Sequence, residues 1–227
     1  QVKNFVLNDP AFGETLEARR QALLEGGLRI HTGLDPALQS EAESAIGSVL
    51  TSGSDPSGAL VSMDPRTGVV RAYVGGKDFW SDASNAKFDL AGQGVRQSGS
   101  SFKPFVLAAA IESGIGLSKK YDAPGELTIP LDDGQEWKVR NYDGSARGSL
   151  DLIEATVKSV NTVYAQLILD VGPQKVTDLA TSMGITSPLE PFPSSALGTN
   201  EVTVLDMASG YSTLAGDGLH IEPVFVT

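Results

Sequence analysis

Apolar residues recur at helical spacing in several stretches. After Asp35-Pro36, residues Leu38, Ala42, Ala45, Ile46 and Leu50 fall close to every 3.6 positions, and proline suits the first turn of a helix. An earlier helical pattern starts near Phe12 and stops at Gly26-Gly27. Between them Leu28 to Thr32 alternates like a strand. Two β-rich runs, 59–63 and 69–74, flank Asp64-Pro65-Arg66-Thr67-Gly68, whose Asp, Pro and Gly predict a tight hairpin turn. From Ser100 helices dominate: 102–113 before Gly114, 150–158 ending near Ser159, 162–171 before Gly172, 173–183 before Gly184, and 202–214 before Gly216.

The ends carry expectations of their own. Gln1 is not an initiator methionine, and 222–227 reads as a strand stopped partway. A segment of a larger protein is expected, with further strands beyond Thr227. Thr51 to Gly58, rich in Ser, Gly and Pro, is the best linker. The expected division is therefore a linker segment over 1–57 and a catalytic portion over 58–227.

Composition narrows the function. The 227 residues are 41% hydrophobic and 20% charged, an ordinary globular balance. Lys and Arg number 17 against 28 Asp and Glu, a net charge of −11, which argues against a nucleic-acid partner. Cysteine is absent, so disulfides, thiolate nucleophiles and cysteine metal sites are all excluded. No clustered His or carboxylate spacing suggests a metal, and no cofactor is implied. The apolar run 105–111 is too short to span a bilayer, and no signal peptide is visible.

The stretch 96–105 holds Ser100 and Lys103, three apart, so a helix places them on one face. A serine hydroxyl needs a neighbouring base, and a lysine serves only when burial keeps its amine neutral. A helix start adds a partial positive field that favours a developing alkoxide. Spacing alone fits an ordinary helix N-terminus equally well. Ser84-Asn85-Ala86-Lys87 shows the same spacing, but its polar surroundings read as a solvated loop. Ser159-Val160-Asn161, between two helices, can turn a hydroxyl and a carboxamide into a cleft. Helix capping explains the same residues by itself.

Together Ser100-x-x-Lys103 and Ser159-x-Asn161 resemble the first two active-site motifs of penicillin-binding proteins and serine β-lactamases. The surroundings are similar to the transpeptidase domain of class A penicillin-binding proteins, in order along nearly the whole chain. The matching stretches are 27–36, 64–68, Asn141-Tyr142-Asp143-Gly144, Ala196-Leu197-Gly198 before Glu201-Val202-Thr203, and 207–211. Ser98 stands where many relatives have proline. The resemblance implies an α+β fold, a helical subdomain plus an antiparallel sheet, here lacking its C-terminal strands. The third motif, Lys-Thr-Gly or Lys-Ser-Gly, is not found. Arg66-Thr67-Gly68 mimics it but precedes Ser100 and reads as turn chemistry, so the true motif is expected past Thr227.

The resemblance further implies a peptidoglycan D,D-transpeptidase, working through a serine acyl-enzyme and acylated by β-lactams. Ser100 would be the nucleophile, Lys103 its base, Ser159 a proton relay and Asn161 a substrate-binding residue. The oxyanion hole would use the Ser100 N–H and one from the missing strand. One such donor is worth about 2.7–4 kcal/mol, so these residues alone are expected to be a poor catalyst. Implied partners are stem peptides, β-lactam antibiotics and the rest of the polypeptide, with its third-motif strand and glycosyltransferase domain. The implied place is the outer face of a bacterial cell membrane, anchored by an N-terminal segment. Three rivals stay open. A D,D-carboxypeptidase or β-lactamase would pass the acyl group to water, although no Glu-x-x-x-Asn segment follows Asn161. A non-catalytic sensor would bind without turnover. A hydrolase using His31 or His220 lacks a partner motif.

Overall fold

In a computed structural model the described residues are 1–81, 86–131 and 134–227. Ser84 and Asn85 of the second Ser-x-x-Lys match lie outside them. The chain divides into two compact units, residues 1–94 with 208–227, and residues 95–207.

The first unit opens with α1 (Val2–Asn8) and α2 (Leu16–Glu25), the latter started by the Thr15 hydroxyl accepting from Ala18 N at 3.1 Å. Helix α3 (Pro36–Val49) begins where the sequence places it. Asp35 caps it by accepting from the N–H groups of Ala37 and Leu38, and Pro36 has no N–H to leave unpaired. Strands β1 (Leu60–Met63) and β2 (Val70–Val74) form the expected antiparallel hairpin. Its turn is closed by Asp64 N donating to Val69 O at 2.9 Å, with Gly68 at φ +72°. Arg66-Thr67-Gly68 is thus part of a turn. Helix α3 covers β2 through Ala42, Ala72 and Val74, and the Gln39 amide bonds both N and O of Tyr73.

The strand expected over 28–32 does not form. Only Thr32 bridges, to Val226, while Leu28 and Ile30 stay exposed. Alternation marks a strand only where a partner backbone takes up its hydrogen bonds. Residues 222–227 likewise make two isolated bridges, Val224 to Val69 and Val226 to Thr32.

The second unit holds the larger core. Strand β3 (Arg96–Gln97) leads through a 3-10 turn at Gly99–Phe102 into α4 (Lys103–Glu112). Then come β4 (Lys120–Asp122), β5 (Glu126–Pro130), β6 (Glu136–Arg140), β7 (Ser149–Asp151), α5 (Leu152–Val157), α6 (Asn161–Val171), α7 (Pro173–Ser182) and β8 (Glu201–Val202). Helix α8 (Val204–Ala215) follows. All strand pairs, β1–β2, β3–β8, β4–β7 and β5–β6, are antiparallel and two-stranded. Phe102, Phe105, Val106, Val163, Tyr164, Leu167 and Ile168 pack α4 onto α6 with full burial. Two expected helices start later than their apolar patterns. Ser149–Asp151 and Glu201–Val202 pair as strands first, and Asp151 then caps α5 through Glu154 N. No helix among the described residues is long and apolar enough to cross a membrane.

Candidate active site

Ser100 lies in the 3-10 turn just ahead of α4, exposed to solvent, and its carbonyl accepts the Lys103 N–H. This turn is clamped from below. Gly99 sits at φ +59° and donates to Gly198 O at 3.3 Å, and just ahead of it β3 pairs with β8. Gly198 is at φ +70°, and a Cβ there would collide with the Gly99 backbone. Only glycine lets the two segments approach so closely. The Ala196-Leu197-Gly198 stretch thereby gains a structural role that its sequence alone did not reveal.

Lys103 opens α4 yet is only 2% exposed. Its ammonium reaches three oxygens: Ser159 O at 2.7 Å, Ser159 Oγ at 3.0 Å and Asn161 Oδ1 at 2.7 Å. It also lies 5.3 Å from the centroid of the Tyr164 ring. Burial lowers the Lys103 pKa to about 8, because little water remains to solvate the charge. Two of its three partner oxygens can only accept, whereas the Ser159 hydroxyl can donate or accept. A neutral amine donates to the carbonyl and the carboxamide and accepts from that hydroxyl. Loss of the proton therefore costs no hydrogen bond.

Ser159 holds an unusual backbone for its type, φ +50°, in the left-handed region. That turn aims both its carbonyl and its hydroxyl at Lys103. Asn161 begins α6, with its Nδ2 donating to Arg140 O at 2.9 Å. Its neighbour Thr162 is fixed by buried Asn141, whose Oδ1 accepts from Thr162 N while its Nδ2 donates to the carbonyls of Pro124 and Ser145. The structure thus joins Lys103, Ser159 and Asn161 directly. Ser100 stands one turn away, and its hydroxyl makes no hydrogen bond to the Lys103 amine, whose partners are Ser159 and Asn161. Of the two histidines, His31 is exposed and His220 bonds Thr213 and Glu222. No metal-binding cluster occurs among the described residues.

Residues 58–227 match the penicillin binding protein transpeptidase domain. The chain belongs to that family. It is 40% identical to penicillin-binding protein 1A of Mycobacterium tuberculosis over 94% of its length, and 33% identical to penicillin-binding protein 2D of Bacillus subtilis over 92%. It spans 26% and 30% of those relatives' lengths. Among solved structures, PonA1 of Mycobacterium tuberculosis in complex with penicillin V superposes with a TM-score of 0.78 at 37% identity. That match covers 92% of this chain and 56% of the other. The class A resemblance and the α+β transpeptidase fold read from the sequence are both borne out.

Proposed function

We propose that the chain carries the acylating machinery of a peptidoglycan D,D-transpeptidase. The observation that carries this reading is the buried, easily deprotonated Lys103, bonded to Ser159 and Asn161 one helical turn from an exposed serine. Ser100 Oγ adds to the carbonyl of the penultimate D-alanine as its proton passes to neutral Lys103, whose single lone pair turns from the Ser159 hydroxyl to receive it. The tetrahedral intermediate then breaks its C–N bond. The departing D-alanine nitrogen takes a proton by way of Ser159, leaving a Ser100 ester. An amine of a second stem peptide adds to that ester, and Ser100 leaves with the proton the amine gives up as the new amide forms. Asn161 holds the substrate amide and orients Lys103. A β-lactam loses its ring C–N bond to the same serine, in keeping with the relative solved with penicillin V.

We read 58–227 as the N-terminal part of the transpeptidase domain and 1–57 as a linker before it. The site would work outside the cell membrane, where stem peptides lie. No Lys-Thr-Gly or Lys-Ser-Gly occurs in the 227 residues. The test therefore uses the polypeptide holding these residues together with that strand. Fluorescent penicillin should label Ser100 by peptide mass spectrometry, and Ser100→Ala should abolish the label; undiminished labelling of the alanine variant overturns the assignment. Rapid loss of the label would instead favour a hydrolase. Because the neutral amine is the base, labelling should speed up as pH rises through about 8 and then level off. Below that midpoint the rate should fall about tenfold per pH unit.

A further inference from the structure

Tyr164 has no role in the chemistry above, yet it is fully buried against Lys103. It follows Asn161 by three residues on α6, so one helix face carries both the carboxamide and the ring. Its hydroxyl bonds Thr156 Oγ1 at 2.7 Å, which in turn donates to Leu152 O, and this fixes the ring from its far end. Burial keeps the phenol above its ordinary pKa, so the ring meets Lys103 uncharged.

We propose that the face of the Tyr164 ring holds the ammonium form of Lys103 and so sets the pH at which this lysine becomes a base. The inference rests on the role given to Lys103 above. An aromatic face within about 6 Å attracts a cation, most strongly where water is excluded. The other groups around the amine are uncharged: a carbonyl, a hydroxyl and a carboxamide. No carboxylate lies within ion-pair reach of Lys103 among the described residues.

The charged groups on neighbouring elements are engaged elsewhere or exposed. On α6, Asp170 is bonded to Lys119 and Tyr121. On α7, Lys175 and Asp178 are exposed, as is Glu112 at the end of α4. Pro193–Leu197, which also packs on α4, has no titratable side chain. Beside the Ser159 turn Lys158 pairs with Glu154, and Arg140 contributes its carbonyl to Asn161. The ring thus opposes a desolvation that no nearby charge offsets.

The test compares Tyr164→Leu with Tyr164→Phe in the polypeptide used above. The pH midpoint of penicillin acylation should fall by about half to one pH unit in the leucine variant and stay in place in the phenylalanine variant. Below the midpoint the leucine variant should then retain more of its own maximal rate. A merely structural role would lower the maximal rate without moving the midpoint. The Lys103 Cε shift, followed by carbon-13 NMR in the unacylated protein, reads the same titration without requiring activity. If Tyr164→Leu does not fold, Tyr164→Phe with a successively fluorinated ring keeps the shape while weakening the face, and each fluorine should lower the midpoint further. Unmoved midpoints, or equal shifts in the leucine and unfluorinated phenylalanine variants, overturn the inference. Absence of any Ser100 label in the parent protein would overturn the catalytic reading instead, while the NMR titration still tests the ring.

Discussion

Helix α3 in the first unit buries one residue, Ala42, whereas α6 in the second buries seven, from Thr162 to Val171. The two are held by different forces. Asp35 at its start and the Gln39 amide on Tyr73 fasten α3, directional ties near the surface. Helix α6 is fastened by close-packed apolar contact on most sides, which resists small displacements more strongly. Asn161 begins α6, and Lys103 and the Ser159 turn that make up the proposed site with it lie against that end. A site that must hold an amine within hydrogen-bond distance of three oxygens gains from that rigidity.

The strongest challenge to this contrast is a polar anchor inside the second unit. Asp206 is 3% exposed and accepts from the N–H and hydroxyl of Thr186, the hydroxyl of Ser187, and the N–H and hydroxyl of Thr203. Through Thr203 it steadies β8, the partner of β3 ahead of Ser100. Asp206→Ala should cost about 3 kcal/mol in denaturant unfolding, since buried donors lose their acceptor. It should also slow acylation. Burial pushes this carboxyl up, but the bonds from Ser187, Thr203 and Thr186 outweigh it and hold it below the usual carboxylate range. A folded value below the unfolded one stabilises at neutral pH, and that part is lost as pH falls through the folded value. Asp206→Asn should remove this acid dependence.

A smaller effect is expected in the first unit. Asp35→Ala removes the α3 cap and should cost about 1 kcal/mol while leaving the acylation rate unchanged. A parallel drop in rate would erase the distinction between the units. The smallest effect concerns Ser98, whose hydroxyl is buried without a partner and whose φ of −73° proline can adopt. Ser98→Pro should stabilise by about 0.5 kcal/mol, seen as a higher melting temperature, because proline narrows the unfolded ensemble.

Much of the first unit was legible because its signals are local. Asp35-Pro36 and the 64–68 turn each act within a few residues of themselves. The same locality misled at 28–32, where alternation promised a strand that no neighbour completes. The short pairs β4–β7 and β5–β6 went unread: the partners in the first stand far apart in the chain, whereas the second did carry a local turn signal in Asp133-Gly134. At the site, motif spacing singled out Ser100, Lys103, Ser159 and Asn161. It could not show that Lys103 turns toward Ser159 and Asn161 rather than bonding Ser100. Gly198, Asn141 and Tyr164 were invisible as supports, since what they do depends on a backbone, a helix end and an amine distant in sequence.

The left-handed turn at Ser159 has a practical corollary for mutagenesis. One residue supplies Lys103 with two oxygens, and only one of them belongs to a side chain. Replacing the serine by glycine would relax the backbone and delete the hydroxyl, yet the peptide oxygen would stay. Any alanine or glycine scan will therefore understate this position, by whatever share the main chain contributes.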